Sequence, residues 1–145
     1  MVYETYSENE TLQLGQKLGE SAKSGSIYAL DADLGCGKTV LARGFAKGLG
    51  VEGMVNSPTF TILKSYNSGR LPFHHFDVYR ILDPAEMDEI GYEDCFFSDG
   101  VSFIEWAGQI RELLPETTVW IKIEKDPQKG FDYRRITVDH EDTGN

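Results

Sequence analysis

The residues best suited to chemistry in this chain fall in one stretch, Leu30-Asp31-Ala32-Asp33-Leu34-Gly35-Cys36-Gly37-Lys38-Thr39. An apolar run precedes it and apolar residues at helical spacing follow it. Glycines two positions apart let successive backbone N–H groups turn inward on an anion, and a helix starting at the lysine adds its positive end. Lys38 then reaches terminal phosphates and Thr39 offers a hydroxyl to Mg²⁺, as in a phosphate-binding loop of the pattern G-x-x-x-x-G-K-[ST]. Ala32 stands at the first glycine of that pattern and is the smallest side chain that replaces it, while Gly35 and Gly37 occupy the positions where backbone must wrap the phosphates. The alternative is a glycine-rich turn with a solvated lysine and no ligand, since these residues are common in turns. The order strand, loop, helix argues against it.

A magnesium-bound nucleotide also needs hard oxygen ligands and cancellation of phosphate charge. Glu105 closes the apolar run Val101-Ser102-Phe103-Ile104-Glu105-Trp106, and ligands of open α/β sheets bind at the carboxyl ends of strands. It is expected to be the metal-side acid, directly or through water. Asp77 lies in Leu71 to Tyr79 and, at a period of two, shares a face with His75 and Tyr79. It is expected to be a second acid that orients metal-bound or attacking water; the alternative is a strand-edge charge, with His75 and Tyr79 forming a structural network. Thr59 and Thr61 read equally as switch-like hydroxyls and as ordinary strand residues. His74, His75 and His140 have no metal-ligand spacing. Cys36 reads as a small residue tolerated in the loop, and Trp106 as packing or an interface anchor. No [NT]-K-x-D segment of the kind that reads guanine occurs, which favours adenine.

These residues need a scaffold, and the patterning supplies one. Ser7-Glu8-Asn9-Glu10 is a capping box opening a helix, with Leu12, Leu14, Leu18 and Ala22 on an apolar face expected to pack on a sheet, and an end at Lys23-Ser24-Gly25. Ser26 to Leu30 has the short apolar character of a buried parallel strand. From Lys38, Leu41, Phe45, Gly48 and Leu49 keep helical spacing up to a stop at Gly50. Thr59 to Tyr66 and Leu71 to Tyr79 form a hairpin around Asn67-Ser68-Gly69-Arg70, with Pro72 marking a strand start. Asp83-Pro84-Ala85-Glu86 opens a helix that Gly91 closes, followed by a short helical turn at Glu93 to Phe97. A short helix spans Gly108 to Leu114, and a last hairpin pairs Val119–Lys125 with Phe131–Val138. Asp139 to Asn145 is expected to be a frayed end.

The 145 residues, 40% hydrophobic and 26% charged, suit one α/β domain with an ordinary core. A net charge of −10 and a pI near 4.7 argue against unaided nucleic-acid binding, which needs clustered Lys and Arg. Cys36 and Cys95 form no C-x-x-C pair and no disulfide framework, which fits a reducing cytoplasm. The acidic, polar start at Met1 to Tyr6 carries no signal-peptide core, and no run approaches a membrane span.

Together, Asp33 to Thr39, Asn56-Ser57-Pro58-Thr59-Phe60-Thr61, His75-Phe76-Asp77-Val78-Tyr79-Arg80 with its Asp-Pro helix start, and Val101 to Trp106 resemble the TsaE (YjeE) family of bacterial tRNA threonylcarbamoyladenosine synthesis. The blocks occur in the family's order and cover nearly the whole chain. The departures are Ala32 for the usual glycine and Cys36 for the usual alanine. The resemblance implies a P-loop NTPase-like fold, a mostly parallel central sheet flanked by helices with antiparallel hairpins. It also implies a small ATPase, weak alone, that binds a TsaB–TsaD assembly and resets it by ATP hydrolysis, with tRNA reached only through those partners. Implied site residues are Lys38, Asp77 and Glu105 as catalytic, and Thr39 and Glu105 on Mg²⁺. ATP contacts are implied from Asp33, Leu34, Gly35, Cys36, Gly37, Lys38, Thr39 and Val40, with Arg134 as a further contact; Trp106 is a functionally sensitive match. A nucleotide-gated binding module and a small metabolite kinase are the competing functions.

Overall fold

The computed structural model describes residues 1–32, 38–52 and 62–140, the side chain of His140 excepted. A seven-stranded sheet runs through it, built from β1 (Val2–Thr5), β2 (Ile27–Ala32), β3 (Leu63–Tyr66), β4 (Phe73–Asp77), β5 (Val101–Glu105), β6 (Val119–Lys125) and β7 (Arg134–His140). Its spatial order is β1-β7-β6-β2-β5-β4-β3. The four middle strands β6, β2, β5 and β4 are parallel, and the pairs β3–β4, β6–β7 and β1–β7 are antiparallel. The expected fold class is therefore observed.

Burial explains the strand sequences. In β2, Ile27, Tyr28, Ala29 and Leu30 are all buried, the near-continuous apolar run of a strand covered on both faces. One layer holds α1 (Glu8–Ser21) and α2 (Lys38–Gly48); Leu14, Leu41 and Phe45 join Tyr28, Leu30, Phe103 and Ile121 there. The other face is covered by two 3-10 segments, Pro84–Ile90 and Ala107–Leu113, and by α3 (Tyr92–Phe96). Met87, Phe96 and Ile110 meet Ala29, Phe76 and Ile104 there.

The anchor of α2 is its contact with α1. Gly15 and Gly19 on α1 and Gly44 and Gly48 on α2 bring the two backbones together: a Cβ at Gly19 would strike the carbonyl of Phe45, and one at Gly48 the carbonyl of Gln16. Helix α1 thus packs as much against α2 as on the sheet. Its cap departs slightly from the expected box: Ser7 Oγ accepts from Glu10 N, but Glu10 Oε1 accepts from Tyr6 N rather than from Ser7 N.

Several boundaries differ from the sequence reading. The acidic start forms β1, whose backbone pairs with β7, because edge pairing asks little of the side chains. β7 begins at Arg134 rather than Phe131, which is left exposed, and it runs on through Asp139 and His140. β2 extends through Asp31 and Ala32. β4 ends at Asp77, so Tyr79 is in a turn and not on the strand. The segment after Trp106 is a 3-10 stretch with a kink at Ile110, not a regular helix. Asn56 to Pro58, Thr59 and Thr61 lie outside the described residues, as does the stretch from 141 onward.

Candidate functional site

The parallel register carries the ends of three strands to one place. Leu30 of β2 is the partner of Glu105 on β5, and Glu105 is the partner of Asp77 on β4. The two acids, 28 positions apart in the chain, are adjacent at the carboxyl edge of the sheet. Their side chains project to the α2 layer, since Phe73 and Phe103, each of the same parity on its own strand, lie in the core beneath α2. Helix α2 begins at Lys38 just past the end of β2, so its N-terminal turn, with Thr39 second, opens over the same edge. Asp33, Leu34, Gly35, Cys36 and Gly37, the body of the expected loop, lie outside the described residues.

Lys38 Nζ stands 4.0 Å over the centre of the Trp106 ring, a cation–π contact. Trp106 follows Glu105 directly and has φ 64° and ψ 33°, the only positive φ of a non-glycine among the described residues. That left-handed step turns the chain off the strand and sets the indole beside Tyr79, ring centres 4.7 Å apart. Gln109 Nε2 donates to Tyr79 O at 2.9 Å and ties the two turns together.

The acids sit in different surroundings. Glu105 is buried and its Oε2 lies 2.6 Å from Nε2 of His75, also buried. Asp77 is partly buried; burial pushes its carboxyl above the ordinary value, the Tyr79 amide donating to Oδ1 at 3.0 Å opposes this, and the negative charge of Glu105 pushes it higher again. A carboxyl so raised is suited to taking up a proton.

Among the described residues no group of three or more His, Cys, Asp or Glu is placed to hold a metal ion by itself. The donors present are hard oxygens, the Thr39 hydroxyl and the two carboxylates, next to a helix N-terminus that favours anions.

Arg134 opens β7 at the same edge of the sheet, opposite Lys125 at the carboxyl end of β6 and two strands along from β2. Its guanidinium donates to the carbonyls of Phe131 and Tyr133 at 3.0 and 2.7 Å, and it lines a cavity of about 30 Å³ with Val40, Glu8, Thr11 and Asp132. It is thus on the α2 flank with Val40. A larger cavity, about 320 Å³, opens at the start of β2 between Ser26, Tyr28, Lys23 and Val119, the wrong end of the strands for the acids. Cys95 is buried, and burial pushes its thiol up.

The sequence assigns Lys38, Asp77 and Glu105 to one nucleotide site, the register brings the two acids to one edge, and two contacts were missed. The alternative to an acidic role for Asp77 joins His75 to Tyr79 in a structural network, but the partner of His75 is Glu105. The shared signal is that H-x-D and the final glutamate both end apolar strands. Nothing in the pattern pointed to the indole under Lys38.

Residues 5–136 match the family model described as "Threonylcarbamoyl adenosine biosynthesis protein TsaE". The chain is 43% identical over 135 residues to the Bacillus subtilis tRNA threonylcarbamoyladenosine biosynthesis protein TsaE, covering 93% of this chain and 82% of that one. It is 37% identical over 123 residues to the Haemophilus influenzae protein of the same name, covering 81% and 77%. The crystal structure of B. subtilis YdiB superposes with a TM-score of 0.80 at 37% identity, covering 97% of this chain and 85% of that one. Among the described residues no helix is long and apolar enough to cross a membrane. With a family model spanning most of its length and a sheet that superposes on a solved relative, the chain belongs to the TsaE family of threonylcarbamoyl adenosine biosynthesis proteins.

Proposed function

We propose that this member of the TsaE family binds ATP with Mg²⁺ at the carboxyl edge of β2, β5 and β4 and hydrolyses it in support of tRNA threonylcarbamoyladenosine formation. The observation that carries the reading is the register Leu30–Glu105–Asp77, which puts two acids beside the first turn of α2 with Lys38 and Thr39. Lys38 neutralises phosphate charge, and the amide ends of α2 favour the anion. Thr39 and Glu105 would hold Mg²⁺, which when bound screens the phosphate oxygens and offsets charge developing in the transition state. Asp77, its carboxyl held high by burial, orients the attacking water and receives its proton. Asp33 to Gly37 supply backbone amides to the phosphates in this reading, and Val40 and Arg134 flank them.

The acidic chain, with net charge −10, is a poor ligand for tRNA. We therefore assign tRNA to partners, a TsaB–TsaD complex, whose contact raises a low intrinsic turnover. The test is phosphate release by the chain alone and with TsaB–TsaD, alongside modification of tRNA. A rise of at least about tenfold on adding the partners, equivalent to about 1.4 kcal/mol of barrier, is expected. Glu105→Ala should remove both turnover and modification while ATP still binds. Equal turnover with and without partners overturns the partner dependence, and full modification by Glu105→Ala overturns hydrolysis as the working step.

A further inference from the structure

The contact between His75 and Glu105 has a definite chemical form. His75 Nε2 lies 2.6 Å from Glu105 Oε2 with both side chains almost wholly buried, at 1% and 2% exposure. The ring is packed against Phe73, centroids 5.7 Å apart and nearly parallel, and meets the edge of Phe103 at 5.9 Å. Its other nitrogen, Nδ1, is buried and has no hydrogen-bond partner among the described residues. A neutral imidazole has one N–H and one lone pair. Were the proton on Nδ1, a buried N–H would be orphaned, which folded proteins rarely tolerate, and Nε2 would face a carboxylate with a lone pair. A proton on Nε2 leaves only a bare acceptor at Nδ1, and it makes the short contact a charge-assisted bond.

We propose that His75 is a positioning residue: an Nε2–H donor that clamps Oε2 of Glu105 and so sets how the carboxylate is presented to the cation of a bound nucleotide. The clamp fixes the angle of the carboxylate, as the outer partner of a metal ligand does. His75 acts through Glu105 and touches neither phosphate nor water. What the held carboxylate does rests on the function proposed above, whereas the clamp itself does not.

Two measurements on the full chain test it. Long-range ¹H–¹⁵N spectra of histidine-labelled, nucleotide-free protein should show His75 protonated at Nε2 and bare at Nδ1, with the Nε2 proton shifted far downfield; an Nδ1–H ring, or an unshifted Nε2 proton, overturns the clamp. Affinity for Mn²⁺·ADP, read by electron paramagnetic resonance, should fall at least about tenfold in His75→Leu but stay within about threefold in His75→Gln, whose amide N–H reaches the same place. ADP binding in EDTA should be unchanged in both. Wild-type Mn²⁺·ADP affinity in a folded His75→Leu, or a tenfold loss in a folded His75→Gln, overturns the positioning role. Should His75→Leu fail to fold, the glutamine variant and the wild-type tautomer decide. Should the wild type bind no Mn²⁺·ADP, the nucleotide reading fails, and the clamp stands or falls on the tautomer alone.

Discussion

Lys38 Nζ rests 4.0 Å above the ring of Trp106, the residue that follows Glu105. A nucleotide that takes the ammonium onto its phosphates must draw it off the indole, a contact of about 0.5–2 kcal/mol. Trp120, the other tryptophan, lies under Arg111, so Trp120→Phe leaves one reporter. In that variant ATP with Mg²⁺ should change Trp106 emission in a saturable way, and adding Lys38→Ala should shift the emission of the free protein and abolish the response. An unchanged free-state spectrum in the double variant would mean the stack is absent in solution.

The same tryptophan holds φ 64°, a left-handed conformation that costs an L-residue about 1–2 kcal/mol and glycine little. Both Trp106→Gly and Trp106→Ala lose the indole. Only the alanine variant keeps the backbone strain, so urea unfolding should find the glycine variant more stable by about 0.5–1 kcal/mol. The opposite order would place the turn in another conformation.

Asp77 has a carboxyl raised by burial, so ionising it in the folded chain opposes stability. The sign follows from linkage: below the ordinary carboxylate pKa the acid is protonated in both states and no penalty exists, and above the raised folded value the penalty is complete. Asp77→Asn should therefore melt higher than wild type at neutral pH, with the advantage shrinking as pH falls through the carboxylate range, while phosphate release is lost. A constant difference in melting temperature across pH would remove the linkage.

Gly19 faces the backbone of Phe45 so closely that no methyl fits. Alanine favours an isolated helix by about 1 kcal/mol, but a carbonyl cannot swing aside as a side chain does. Gly19→Ala should destabilise the fold by about 1–3 kcal/mol. Gly108, with nothing within 4 Å of its position, is the control, and Gly108→Ala should stay within about 0.5 kcal/mol. Equal melting of the two variants would show that the helices part at no cost.

Much of this protein was legible along the chain. The apolar run at Ile27 to Leu30, the caps at Ser7 and Asp83, the stop at Gly50 and the alternation in Val119 to Lys125 each act within a few residues, which is the range over which propensity and periodicity operate. Those signals placed Lys38 at a helix start, Glu105 at the close of an apolar strand and Asp77 within another, and they pointed to an α/β domain. The sequence blocks added the family. Beyond that range the chain was silent. That Leu30, Glu105 and Asp77 line up side by side depends on a parallel register set by burial on both faces of the sheet. The strand at Val2 to Thr5 exists because β7 offers it backbone partners. The bond from His75 to Glu105 and the indole beneath Lys38 come from residues 30 and 68 positions apart, brought together only when packing closes the core. Local chemistry selected the reactive groups; the tertiary fold decided which of them touch.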